Sequence, residues 1–129
     1  MSDHFIISSI TVDSNFVSIF SEESHPQTIR GGMVLTDRIE AQNLRLRKST
    51  PGYSADWHVA GDAATLIIIQ KGVLRLSLRN GEYKDFKAGD SFIAKDYLPE
   101  GITFDTNLHG HKAEVIGNEE LMATHIKLG

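Results

Sequence analysis

Apolar residues in this chain alternate or gather in β-branched runs, and they do not recur every three or four positions; this predicts short strands and no long amphipathic helix. In VLRLSLR, Leu74, Leu76 and Leu78 share one face while Arg75, Ser77 and Arg79 share the other, the pattern of a strand with one buried side. Asn80-Gly81 then supplies two positive-φ residues for a tight hairpin, folding Glu82 to Phe86 back onto Val73 to Arg79. Gly89-Asp90 turns into a buried strand at Phe92 to Ala94. Upstream, Leu44, Leu46 and Val34 fall on edge or sandwich strands, and Thr50-Pro51-Gly52 breaks the chain before the next one. His111 to Ile116 and Leu121 to Leu128 read as the last two strands, joined by a polar turn at Gly117 to Glu120, and Phe5 to Val12 as the first. About eight to ten strands at this spacing suit an all-β sandwich or jelly roll. The polar stretch Phe20 to Gly32, with Pro26, is expected as a loop or as an arm crossing to a partner.

A chain of 129 residues fits one domain and can bury ~68% of its unfolded surface, enough for a core without staples. The absence of cysteine excludes disulfides and thiolate metal sites and suits a reducing cytoplasm. Thirteen basic against seventeen acidic residues give a net charge of -4, which disfavours nucleic acid as a partner. The start, MSDHFIISSITVDSNF, is acidic with a short apolar run, so neither a signal peptide nor a membrane span is expected. No phosphate loop, nucleotide or flavin motif, or Gly-x-Ser-x-Gly elbow is present.

The stretch Gly52 to Gly72, GYSADWHVAGDAATLIIIQKG, carries a spacing of particular interest. Together with QKGVLRLSLRNGEYKDFKAGDSFIAKD and GHKAEVIGNEELMATHIKL it resembles the small single-domain (RmlC-like) cupins, over roughly residues 44 to 128. The first cupin motif reads Gly, five residues, His, one, His, four, Glu, six, Gly, and here those slots hold Gly52, His58, Ala60, Thr65 and Gly72. The frame is kept, with one of three expected ligands. The resemblance implies a double-stranded β-helix, the jelly-roll barrel, as a single domain over 1–129, with N-terminal strands or an arm in 1–43 and the barrel core in 44–128. It also implies a homodimer in which N-terminal strands extend the partner's sheet, since edge strands need covering.

The second cupin motif, which donates the remaining His, has two placements. In one, Pro99-Glu100-Gly101 is its Pro-x-Gly element and Phe104 fills the ligand slot. In the other, which we favour, His111 is the ligand equivalent, because the Gly-Asn-Glu-Glu turn at Gly117 to Glu120 lies six residues beyond it. Tyr97 to Leu108 is then an enlarged loop able to close the barrel mouth.

His58 and His111 are therefore the candidate catalytic residues, and also the candidate metal ligands. Two imidazoles alone hold a divalent metal poorly, so a further donor would have to come from His109, His125 or Asp56. Without metal, imidazole still serves as acid or base near neutrality. By alternation Asp56 shares the face of His58 and could orient it, whereas Trp57 points away. Thr65, Ile67 and Ile69 are expected to line an apolar pocket, with Phe104 and His125 as further substrate contacts. Arg45, Arg47 and Arg75 could bind a carboxylate or phosphate if they converged, though exposed charge on strand faces is the plainer expectation. The expected function is an isomerase-, cyclase- or lyase-like enzyme acting on a small organic molecule, by His acid–base chemistry or with a weakly held divalent metal; the alternative is a non-catalytic binding module that has lost its metal site.

Overall fold

The computed structural model describes residues 4–61 and 63–129; the acidic start at 1–3 and position 62 lie outside the described residues. Eleven strands form two facing sheets: β1 (His4–Val12), β2 (Ser18–Arg30), β3 (Met33–Thr36), β4 (Ala41–Ser49), β5 (Ser54–His58), β6 (Thr65–Lys71), β7 (Val73–Ser77), β8 (Tyr83–Lys87), β9 (Ser91–Ala94), β10 (His111–Ile116) and β11 (Leu121–Leu128). The seven-stranded sheet runs β3-β2-β1-β9-β6-β11-β4 and the four-stranded sheet β5-β10-β7-β8. This is the all-β jelly roll expected from the strand pattern. Among the described residues no helix is long and apolar enough to cross a membrane.

Period-two patterning builds the core. Leu74 and Leu76 on the inner face of β7, with Leu78 just past its end, are buried, and Leu74 and Leu76 meet Ile10, Ile69, Val115 and Leu121 from both sheets, with the Phe86 and Phe92 rings tilted against each other at 4.6 Å. Each such side chain withdrawn from water contributes about 1.5–3 kcal/mol. On the outer face Arg75 donates through Nε and a terminal nitrogen to the Asp85 carboxylate across the hairpin, at 2.8 and 3.1 Å.

Two local expectations are corrected. The β7–β8 turn has three residues, Arg79 to Gly81, closed by Leu78 N–H to the Glu82 carbonyl (2.8 Å) and Gly81 N–H to the Leu78 carbonyl (3.1 Å). Only Gly81 takes positive φ, so Asn80 sits in an ordinary turn followed by a left-handed glycine. For Phe20 to Gly32 the loop alternative is corrected: the stretch is strand over most of its length, as β2, paired with β1 and, further along, with β3. β1 itself lies between β2 and β9, parallel to β9, which brings Ile10 and Phe20 to the core.

Candidate functional site

The inner ends of β4, β5, β6, β10 and β11 enclose a cavity of about 200 Å³ between the sheets. Its polar lining is Arg47, His58, Thr65, His111 and His125, and its floor is apolar, with Ile67, Leu76 and Phe92 among the side chains. A second cavity of about 290 Å³ adjoins it, sharing Thr65 and His125 and adding Asn43, Arg45 and Lys127.

His58 ends β5 and His111 begins β10, and the two are register partners across the antiparallel pair. Their rings are tilted at 56° with centroids 4.5 Å apart. The approach depends on Gly110, whose φ is 90° and whose missing side chain leaves room for the His58 backbone; a Cβ there would come within 2.6 Å of the His58 carbonyl oxygen. Between His58↔His111 and Ala55↔Ala113 the register slips, so Asp56 and Trp57 together oppose Lys112. A bulge of this kind re-aims side chains and breaks strict alternation.

Behind His111 lies Asp96, fully buried just past β9. Its Oδ2 accepts from His111 Nδ1–H (2.7 Å) and Ser18 Oγ–H (2.6 Å), and its Oδ1 from Ala60 N–H (2.9 Å). Burial pushes this carboxyl upward, but the hydrogen bond and charge of His111, with the donors from Ser18 and Ala60, outweigh it and hold it below the ordinary Asp value. An ionised carboxylate only accepts, so His111 carries a proton on Nδ1, and in the neutral ring Nε2 is then the atom with the lone pair. His58 reaches the same state by another route: its Nδ1–H donates to the Asp56 carbonyl at 2.7 Å. Burial lowers the His58 pKa, with smaller contributions from His111 and Arg47, against the opposing effects of the Asp56 carbonyl and Asp96. Two adjacent imidazoles thus each have Nε2 unprotonated when neutral, one at the exposed mouth and one buried against a carboxylate.

These observations can be set beside known proteins. No family model and no curated protein sequence matches the chain. Solved structures do. A cupin-2 domain containing protein from Shewanella frigidimarina is 20% identical over 71% of this chain and 78% of its own, with a TM-score of 0.47. The polyketide cyclase RemF from Streptomyces resistomycificus is 13% identical over 81% of this chain, with a TM-score of 0.50, and this chain spans 63% of its length. A predicted oxalate decarboxylase from Thermotoga maritima is 20% identical over 96% of this chain and 94% of its own, with a TM-score of 0.47. The likeness to RemF is one of fold, the two-sheet all-β barrel described above. At these identities the likeness concerns the fold, and chemistry has to be read from the site.

In the cupin frame, His58, Ala60 and Thr65 all line the cavity beside His111, so the motif positions converge as the spacing implied. Their side chains do not make a metal centre. Among the described residues no three His, Asp or Glu side chains gather as a ligand set, Ala60 has no donor, and the Thr65 hydroxyl is a weak ligand for a hard cation. The described donors do not fit a divalent ion.

Of the predicted contacts, Thr65, Ile67 and His125 line the cavity, whereas Ile69 is sealed in the core beneath it. Asp56 is corrected: the bulge turns its carboxylate to accept from Trp57 N–H (2.8 Å), and it is the backbone carbonyl that orients His58. Phe104 is also corrected. It is half-buried outside the cavity lining, with its ring 6.1 Å from that of His109. His109 is held by Asp105 N–H donating to its Nδ1 (2.9 Å) and does not line the cavity. The Tyr97 to Leu108 loop is tied down by Arg79, which lies 3.8 Å over Trp57 and donates to the carbonyls of Thr106 and of His109 (2.7 Å to the latter). Trp57 packs on the outer face, away from the cavity, as alternation suggested.

Sequence reasoning missed Asp96 and Ser18, and for Arg47 it set anion binding behind exposed surface charge. The only signal for Asp96 was an acid directly after the buried run Phe92 to Ala94, which also describes an ordinary turn residue.

Proposed function

We propose that this cupin barrel is an acid–base enzyme acting on a small organic molecule, with His111 as general base, Asp96 as its positioning residue and His58 as the second proton carrier. The observation that supports it most is the 2.7 Å bond from His111 Nδ1–H to the buried Asp96 carboxylate. That bond fixes the imidazole tautomer and balances the imidazolium formed when Nε2 takes a proton. In the proposed step a carbon-bound hydrogen beside a carbonyl passes to His111 Nε2, and the electron pair of the C–H bond stays on the substrate as an enolate. Return of the proton to the same carbon gives exchange, and return elsewhere gives isomerisation or primes loss of a leaving group. His58, neutral near pH 7 and exposed, can pass a proton between the pair and solvent.

The test is solvent deuterium incorporation. Small carbonyl compounds incubated with the protein in heavy water should exchange the hydrogen next to the carbonyl, and His111→Gln should abolish the exchange. Binding of such compounds without exchange would favour the second reading, a non-catalytic binding module, which the ligand-poor slots Ala60 and Thr65 also suit. The homodimer belongs to the same proposal: Leu44 and Leu46 on edge strand β4 are 59% and 74% exposed, and a second copy lying there would cover them.

A further inference from the structure

Strand β4 presents its charge inward and its apolar side chains outward. Leu44 and Leu46 face solvent, while the alternate residues Arg45 and Arg47 line the two adjoining cavities. Arg45 is exposed at the mouth, whereas Arg47 is half-buried, where charge is costly unless something compensates it. Within the protein little does. Arg47 donates through Nε to Ser49 Oγ (2.9 Å) and lies 5.1 Å from the Tyr53 ring, with no carboxylate partner among the described residues. Burial opposes its charge. Arg45 has no ion pair among the described residues either. His125 stands opposite Arg45 on the neighbouring strand, and its Nε2 is buried without a hydrogen-bond partner among the described residues. Among the described residues, none of the side chains lining either cavity is acidic. Positive charge and an unsatisfied donor site have been gathered at one corner of a mouth whose opposite side carries His58 and His111.

We infer that this corner binds the carboxylate of a small organic acid, held by Arg47 with Arg45 and His125 and leaving the rest of the molecule against the two imidazoles. The inference rests on the acid–base reading and names its substrate class. A planar guanidinium presents paired donors that match a carboxylate. The two adjoining cavities, about 200 and 290 Å³, suit a small organic acid. Burial together with Arg47 and Arg45 lowers the His125 pKa, so near neutrality this ring is an uncharged hydrogen-bonding partner beside the two guanidinium groups.

Calorimetric titration with pyruvate, malonate and succinate, each beside its amide and beside inorganic phosphate, tests the site. At least one acid should bind, and its amide should bind about tenfold or more weakly. Arg47→Gln should weaken the acid by about tenfold or more and leave the amide unchanged. Arg45→Gln, at an exposed position, should weaken the acid to a smaller degree. The inference is overturned if acids and amides bind alike, if phosphate binds more tightly than every acid, if no acid binds, or if neither arginine variant changes acid affinity. Deuterium exchange separates this inference from the reading beneath it. Arginine-dependent acid binding with no exchange would leave the carboxylate site standing and remove the acid–base step. Exchange abolished by His111→Gln but untouched by both arginine variants would do the reverse.

Discussion

His58 and His111 face each other across the β5–β10 pair, their rings 4.5 Å apart, and Gly110 is what lets the two backbones come so close. The residue before His111 therefore controls the pair. Gly110→Ala should cost about 1–3 kcal/mol in chemical denaturation, since it meets both a positive φ and the His58 backbone. It should also change the imidazole chemical shifts of both histidines. Unaltered stability and shifts would mean that the strands approach without need of glycine.

Asp96 joins three parts of the barrel: Ser18 at the start of β2, Ala60 beyond β5 and His111 on β10. Asp96→Asn should lower stability by about 1.5–3 kcal/mol, the usual loss for a hydrogen bond to a charged group. An amide N–H turned toward His111 would also move the ring proton from Nδ1 to Nε2 and so remove the free base. Proton exchange should then fall in parallel with that of His111→Gln, even where the variant remains folded.

Stability should decline in acid in two stages. The His58 and His125 pKa values are lowered in the folded protein, chiefly by burial, so the unfolded chain takes up protons first as pH falls below about 6.5 and the fold is penalised there. The Asp96 pKa is lowered too, so its contribution is present above the ordinary Asp range and is lost as pH falls through its folded value. Denaturation midpoints across this range should show the first stage shrink in His58→Gln and the second vanish in Asp96→Asn. A flat profile for the unaltered protein down to about pH 4 would contradict the shifts of both histidines.

Ala60 and Thr65 line the same cavity as His58 and His111, in the slots where cupins carry a second His and a Glu. The double substitution Ala60→His with Thr65→Glu should therefore create a divalent-metal site, read as stoichiometric zinc or manganese by elemental analysis after dialysis. No gain over the unaltered protein would show that the slots, though adjacent, cannot complete a coordination shell.

The fold was legible because β7, β10 and β11 follow period-two patterning that buries one face, and the observed bounds of β10 and β11 coincide with those expected. The His58–His111 pairing was legible from the cupin spacing. Asp56 was misjudged because strict alternation holds only in a regular strand, and the slip at Asp56 and Trp57 cannot be seen in sequence. The direction in which the arginines point was not legible for a different reason. Alternation separates Arg45 and Arg47 from Leu44 and Leu46 but does not say which set faces inward, and on β4 the usual preference is reversed. Phe104 and Asp96 belong to a long connection without periodicity, where only tertiary contacts decide what points into the barrel.

The most direct test of the central claim is nitrogen-15 NMR of the histidine rings, which reports which nitrogen carries the proton. His111 should hold its proton on Nδ1, in a strong hydrogen bond that Asp96→Asn abolishes, and neutral His58 should hold its own on Nδ1 with Nε2 bare. A His111 proton on Nε2 in the unaltered protein, or one that stays on Nδ1 in Asp96→Asn, would contradict the account.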